Sequence, residues 1–309
     1  MISTMPLVSI LIPTYNRPGY FKAALDSALN QTYGNIEIII CDDSRNDDTK
    51  HLIENKYYDF TQIKYIKNEE QLGAQNHIKC FNISNGEYIN FLMDDDILHP
   101  LKIEKMINVF LQDQDKNIKL VTSKRILIDE FGFPLPDSFN KSPFKKTCAV
   151  EGKFLGSLTF EYGNIIGEPT TVLFKKSDLA DFNFNFMGFE FKINTDWINW
   201  LKLLAKGNAV YMVEPLSAFR YHGNQVSRMG VSHVIGTIEI GHMFLNANKL
   251  GFLEDKDSFK RSLIHTIRTF ENTIRDFNED LKQYDKSALF YAIFEKLKKT
   301  LAELDSTKL

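Results

Sequence analysis

Three consecutive carboxylates, Asp94, Asp95 and Asp96, follow the apolar run Tyr88-Ile89-Asn90-Phe91-Leu92-Met93 and precede His99-Pro100. Adjacent aspartates repel one another and are not buried without compensation, so three of them at the end of a buried strand are expected to meet a cation. Oxygen-only donors suit a hard ion, Mg²⁺ or Mn²⁺, whose shell is completed by substrate phosphates and water. A solvated acidic turn is the competing reading, and on the triplet alone the two stand level. Two other polar clusters share the pattern: Thr14-Tyr15-Asn16 and Asp42-Asp43 each follow an apolar run. Asp196 differs, standing at Asn194-Thr195-Asp196 before a helical run with Trp197, Trp200, Leu201 and Leu204, where an aspartate is an ordinary cap.

The elements that must position these groups alternate. Leu7–Ile12 and Ile36–Cys41 read as buried strands, Ile63–Ile66 as a third, and each is separated from the next by residues at helical spacing, such as Phe21, Leu25, Ala28 and Leu29. Continuous apolar strands alternating with helices indicate a parallel sheet covered on both faces with right-handed crossovers. Ligands of such sheets bind beyond the carboxyl ends of the strands, where all three polar clusters fall. A helix after Pro100, a strand near Leu120-Val121-Thr122, a strand Thr171–Phe174, and strands Val210–Val213 and Leu216–Tyr221 complete the expected domain. Residues 129–147, rich in Pro, Phe, Lys and Ser, read as a surface flap.

With 309 residues, 43% of them hydrophobic, the chain can bury a large core, and its net charge of -3 argues against nucleic acid as a partner. Cys41, Cys80 and Cys148 lack metal-ligand spacing, and Cys41 and Cys80, in apolar surroundings, read as packing residues of a reducing compartment. No run reaches membrane-spanning length and no basic leader precedes Leu7, so a cytoplasmic protein is expected.

These stretches, taken in order, resemble the family 2 glycosyltransferases: Val8-Ser9-Ile10-Leu11-Ile12-Pro13-Thr14-Tyr15-Asn16-Arg17, Glu37–Ser44, Gly86–Asp96, Thr195-Asp196-Trp197 and Arg220–Ser227. The resemblance covers residues 7 to about 228. It implies an α/β protein of GT-A fold, Rossmann-like with a mostly parallel sheet flanked by helices, and an inverting transferase using a nucleoside-diphosphate sugar, UDP-hexose or UDP-N-acetylhexosamine. The acceptor would be a glycan, a lipid-linked glycan or a protein, in bacterial surface-polysaccharide synthesis. By the same likeness Pro13, Thr14, Tyr15, Arg17 and Asp43 would hold the nucleoside, with Asp42 structural. The triplet matches the Asp-x-Asp motif that bridges Mn²⁺ or Mg²⁺ to the diphosphate: Asp95 on the metal and Asp94 on the ribose or sugar, or Asp96 as the metal ligand instead. Asp196 would be the general base. His222 would reach the metal or diphosphate, with Arg220, Gln225 and Ser227 in the same segment, and Glu168, Pro169 and Thr170 would line the donor-sugar and acceptor pocket.

The implied layout is a catalytic domain over 1–230, with a nucleotide half to 100 and an acceptor half beyond it, and a helical extension over 231–309. Two amphipathic helices, carried by Leu263, Ile267, Phe270, Ile274, Phe277 and Leu281 and by Phe290, Phe294, Leu297, Leu301 and Leu304, are joined near Asp285. They are expected to pack on their own chain; self-association or contact with a membrane surface is the alternative. A nucleotidyltransferase would show a Gly-rich basic loop after the first strand, which Pro13-Thr14-Tyr15-Asn16 is not. A non-catalytic scaffold of the same fold would have no need of both the triplet and Asp196.

Overall fold

β1 (Val8–Thr14) is buried along its whole length, between parallel β2 (Ile36–Asp42) and β4 (Tyr88–Phe91), as an uninterrupted apolar strand in a doubly covered sheet must be. The computed structural model describes residues 5–136, 142–223, 225, 230–284 and 286–306. α1 (Pro18–Leu29), α2 (Asp48–Lys56) and α3 (Gln75–Ile83) connect β1, β2, β3 (Ile63–Lys67) and β4. Pro18 opens α1 at its first turn, where a missing N–H costs nothing. The chain continues through β5 (Ile97–Leu98), α4 (Lys102–Gln112), β6 (Ile118–Ile128), β7 (Cys148–Val150), α5 (Gly152–Tyr162) and β8 (Leu173–Lys175). A hairpin, β9 (Asn185–Phe186) and β10 (Phe189–Glu190), then α6 (Thr195–Leu204) and β11 (Asn208–Arg220) follow. The C-terminal part is α7 (Gly230–Asn246), α8 (Lys256–Asp276), α9 (Asn278–Gln283) and α10 (Ser287–Ser306).

Nine strands form the main sheet in the order β3-β2-β1-β4-β8-β6-β11-β5, with β7 on β11. Its first four are parallel, as expected, and so are β6 and β11. β8 departs from that pattern by entering antiparallel between β4 and β6. The strand expected at Thr171–Phe174 starts later, because Pro169–Thr171 winds into a 3₁₀ turn held by Thr171 Oγ1 donating to the Glu168 carbonyl. The two strands expected at 210–213 and 216–221 are one strand, β11, whose pairing with β6 shifts register between Met212 and Ser217, where Pro215 offers no amide to the ladder.

By contact the chain divides into two units. The first, 1–150, 166–182 and 208–221, holds the sheet and α1–α4; the second, 151–165, 183–207 and 222–309, holds α5–α10 and the hairpin. This division differs from a boundary at 230, since α5 and α6 group with the C-terminal helices. Within the second unit Phe160 packs on Trp197 and Phe244, and Phe270 stacks on Phe294 across α8 and α10. The helix expected through Leu281 breaks at Phe277, so that α8 and the short α9 are separate. Asp285 lies outside the described residues. Among the described residues no helix is long and apolar enough to cross a membrane.

One close approach fixes how β4 enters the sheet. The Gly86 amide donates to Ser9 Oγ at 2.8 Å and to Glu37 Oε1 at 3.0 Å, and a Cβ on Gly86 would lie 2.5 Å from the Ser9 backbone nitrogen. Gly86→Ala should therefore cost about 2 kcal/mol, the scale of overpacking against an immovable backbone, read as a lower urea midpoint at unchanged slope.

Candidate active site

The first unit gathers Thr14, Tyr15, Arg17 and the triplet at the carboxyl ends of β1 and β4. Asp94 Oδ2 accepts from Thr14 Oγ1 at 2.9 Å and from the Tyr15 amide at 3.1 Å. The Arg17 guanidinium lies 3.4 Å from Asp94 Oδ1 and 2.9 Å from Asp95 Oδ2, so it bridges the two carboxylates. Asp96 turns inward, accepting from Thr170 Oγ1 at 2.5 Å and from the Arg220 amide at 3.1 Å. Burial and the neighbouring Asp95 charge push the Asp94 carboxyl up to about 6, and the same causes raise Asp96 well above the usual range.

The other expected donor-site residues surround this cluster or support it. Pro13 pairs in register with Cys41, and Asn16, at φ 52, turns the chain so that Arg17 follows; the Tyr15 ring remains partly exposed. Asp42 is fully buried and accepts from Tyr65 Oη and the Ser44 amide. Asp43 Oδ1 accepts from Asn68 Nδ2 at 2.6 Å, and its oxygens take the Leu72 and Gly73 amides at 3.0 and 2.7 Å, so this carboxylate shapes the loop over residues 68–73. Thr170 also accepts the Met93 amide, tying the β8 approach to the strand that carries the triplet. Glu168 pairs with Arg125 at 2.9 Å, while its Oε1 is buried without a hydrogen-bond partner. Arg220 is buried and directs its Nε to the Asp95 carbonyl at 2.8 Å.

Asp196 and His222 belong to the second unit. Asp196 sits in the first turn of α6, and its Oδ2 accepts from Asn164 Nδ2 at 3.1 Å. Asn194 precedes the helix without a side-chain cap. The chain ahead of α6 is instead held by Glu239 of α7, a fully buried carboxylate that accepts from the Asn194 amide at 2.7 Å and from Ile193 at 3.2 Å. His222 is buried, and its amide donates to Gln225 Oε1 at 3.3 Å. Ser227 lies outside the described residues.

Comparison with known proteins bears on what this geometry is for. The profile of Glycosyl transferase family 2 matches residues 9–194. The chain belongs to that family. It is 28% identical over 300 residues, 95% of this chain and 89% of the relative, to a GalNAc(5)-diNAcBac-PP-undecaprenol beta-1,3-glucosyltransferase of Campylobacter jejuni. It is 31% identical over 229 residues, 72% of this chain and 80% of the relative, to UDP-Glc:alpha-D-GlcNAc-diphosphoundecaprenol beta-1,3-glucosyltransferase WfaP of Escherichia coli. Among solved structures, S. aureus TarS 1–349 in complex with UDP-GlcNAc superposes with a TM-score of 0.68 at 19% identity, covering 97% of this chain and 83% of that 1–349 chain, a likeness of fold.

Several groups that hold these residues, each within its own unit, carry no local sequence signal. Lys102, fully buried in α4, donates to the Thr171 carbonyl at 2.8 Å, and burial pushes its ammonium down to about 7. Arg125, Asn164 and Glu239 likewise act on partners at least 32 residues away. The triplet fits a hard cation in its donor chemistry: Asp95 Oδ2 already faces a positive group, Arg17, and beside it stands Asp94, a buried carboxyl whose pKa burial and the Asp95 charge raise. Among the described residues no set of three His, Cys, Asp or Glu groups forms a ready cage for an ion.

The Asp94 shift has a sign that can be measured. A carboxyl with its pKa raised by folding adds stability in acid and loses it as pH rises through about 6. The stability of the native protein minus that of Asp94→Asn should fall by about 1–3 kcal/mol between pH 4 and pH 7, in urea titrations at each pH; a difference that is flat or rising would contradict the shift.

Proposed function

We propose that this family 2 chain transfers a sugar from a nucleoside-diphosphate sugar, UDP-hexose or UDP-N-acetylhexosamine, to a hydroxyl of a saccharide acceptor, with inversion in one displacement. The observation that carries the reading is the cluster of Asp94, Asp95, Thr14, the Tyr15 amide and Arg17 at the carboxyl ends of parallel β1 and β4, the edge where such sheets take ligands. The names of the two relatives, both acting on saccharides linked to diphosphoundecaprenol, support a lipid-linked glycan as acceptor and a role in bacterial glycoconjugate synthesis.

In this reading Tyr15 packs on the nucleoside, Thr14 and Asp94 orient the ribose side, and Asp43 holds the loop over residues 68–73 against the base. Glu168, with one carboxylate oxygen on Arg125 and the other unpartnered, is placed to accept from a sugar hydroxyl. Asp95, assisted by Asp94, would hold Mn²⁺ or Mg²⁺, and the ion when bound neutralises charge on the departing diphosphate. Asp96 serves the fold, since Thr170 and the Arg220 amide already engage its oxygens. Asp196 takes the proton of the acceptor hydroxyl as that oxygen bonds to the anomeric carbon; the bond from that carbon to the diphosphate oxygen breaks, and the nucleoside diphosphate leaves with the electron pair. Asn164 is the positioning residue for that base.

A panel of UDP-sugars with Mn²⁺ should give hydrolysis or thermal stabilisation with at least one donor. On that donor Asp196→Asn should lower transfer by about 10²-fold or more while UDP affinity stays within twofold; equal losses of both would contradict the base. Asp95→Ala should weaken UDP binding in calorimetry only when Mn²⁺ is present, and a loss that persists in chelator would remove Asp95 from the metal role.

A further inference from the structure

The chain between β6 and the described start of the flap makes a tight turn at Asp129–Phe133. The Asp129 amide donates to the Phe133 carbonyl at 2.9 Å, the Gly132 amide returns to the Asp129 carbonyl at 3.1 Å, and Asp129 Oδ1 accepts from the amides of Phe131 and Phe133. Ile128 and Pro134 pair below it, and Gly132 takes φ 95, a conformation glycine adopts without strain. The five residues Asp129–Phe133 therefore form a closed, internally bonded tip. On it stand Phe131 and Phe133, 77% and 68% exposed, the first of these the most exposed large hydrophobic residue described. Two phenyl rings exposed on one ordered turn offer an apolar surface to a ligand.

Arg220 connects this tip to the triplet. Its Nε donates to the Asp95 carbonyl at 2.8 Å, and its Nη1 donates to the carbonyls of Asp129 and Glu130 at 3.1 and 3.2 Å, with the guanidinium over the Tyr20 ring at 4.9 Å. The root of the turn is thus one guanidinium away from the backbone of the candidate cation-binding residue. Besides the donor-site role that the resemblance implies, the described bonds of Arg220 to three main-chain carbonyls make it a positioning residue for the turn.

We propose that Phe131 and Phe133 form the acceptor subsite, stacking on the apolar C–H face of a neutral sugar ring. This rests on the transferase reading, in which an acceptor must come within bonding distance of a donor whose diphosphate lies at the triplet. Aromatic rings without a polar tip bind by stacking on the apolar C–H face of a saccharide. The acidic Asp129 and Glu130 in the same turn disfavour an anionic lipid surface or a phosphate at this position, and so select the uncharged part of an acceptor.

The test uses the full chain with UDP and Mn²⁺ and, as acceptor probes, the methyl glycosides of N-acetylglucosamine and N-acetylgalactosamine. In saturation-transfer NMR the native protein should transfer saturation to the ring protons of at least one probe. F131A/F133A should weaken that probe's binding by about tenfold, whereas Phe131→Tyr with Phe133→Tyr should retain it. UDP affinity, measured separately by calorimetry, should stay within twofold in both variants. Equal probe binding by the native protein and F131A/F133A, or no binding by either, would overturn the subsite. So would loss of anionic-vesicle binding, or of a dimer in size-exclusion chromatography, as the sole consequence of the double substitution. Failure of the transferase reading is seen apart from these, as absence of UDP binding in the native protein.

Discussion

Four carboxylates crowd the carboxyl ends of the central strands, and the first unit is arranged around keeping them there. Asp94, Asp95, Asp96 and Glu168 are faced by Arg17, Arg125, Arg220 and Lys102, and each acid is answered in a different way. Asp94 is held by a hydroxyl, an amide and a guanidinium, Asp96 by a hydroxyl and an amide, and Glu168 by a single arginine. The elevated pKa values of Asp94, Asp96 and Glu168 show that this compensation is incomplete. Removing one partner from such an interior network leaves a buried charge unpaired, at a cost of about 3–5 kcal/mol. A site that tolerates residual repulsion between neighbouring acids has a reason to attract further positive charge.

The adjacency of the three aspartates hides a division among them. Along an extended chain successive side chains alternate in direction, but β4 ends at Phe91, and the triplet lies in a turn closed by the Asp96 amide on the Met93 carbonyl. That turn sends Asp96 inward to Thr170 and the Arg220 amide, and leaves Asp94 and Asp95 together on Arg17. A cation that reaches Asp95 meets a position where the protein already favours positive charge, and Arg17 must share it or give way. Of the two ligands that the resemblance left open, Asp95 is the one beside Arg17, while the described bonds of Asp96 run to Thr170 and the Arg220 amide, which is why the proposed function gives the ion to Asp95.

Strands β1, β2 and β4 were legible because parallel strands covered on both faces read as unbroken apolar runs, and their ends were legible because carboxylates and turn residues interrupt those runs. The same logic found β8 as an apolar run at Thr171–Phe174 but neither its start nor its antiparallel direction. Three residues give no periodicity, and its direction follows from where Pro169–Thr171 delivers it. β11 read as two strands because Pro215 interrupts the pattern, yet the sheet absorbs the interruption as a register shift. Arg220 illustrates the limit for the site: a matching segment implies a ligand role, but nothing local announces its bonds to the carbonyls of Asp95, Asp129 and Glu130, about 90–125 positions away. Local spacing carries no record of such pairings.

The second unit shows the converse treatment of a carboxylate. An aspartate in the first turn of a helix ordinarily caps it or rests on its dipole, and either use would explain Asp196 without chemistry. Here the chain ahead of α6 is fixed from elsewhere, by Glu239 collecting the amides of residues 192–194, so the helix start does not depend on Asp196 for its alignment. Asp196 meets Asn164, a neutral amide that can orient a carboxylate without cancelling its charge. The same fold pairs Glu168 with an arginine and Asp95 with another, where charge is to be neutralised. The proposed base therefore stands on a helix whose approach is anchored by Glu239, with Asn164 orienting one of its oxygens, and an ordinary capping role would not by itself account for that separate anchor.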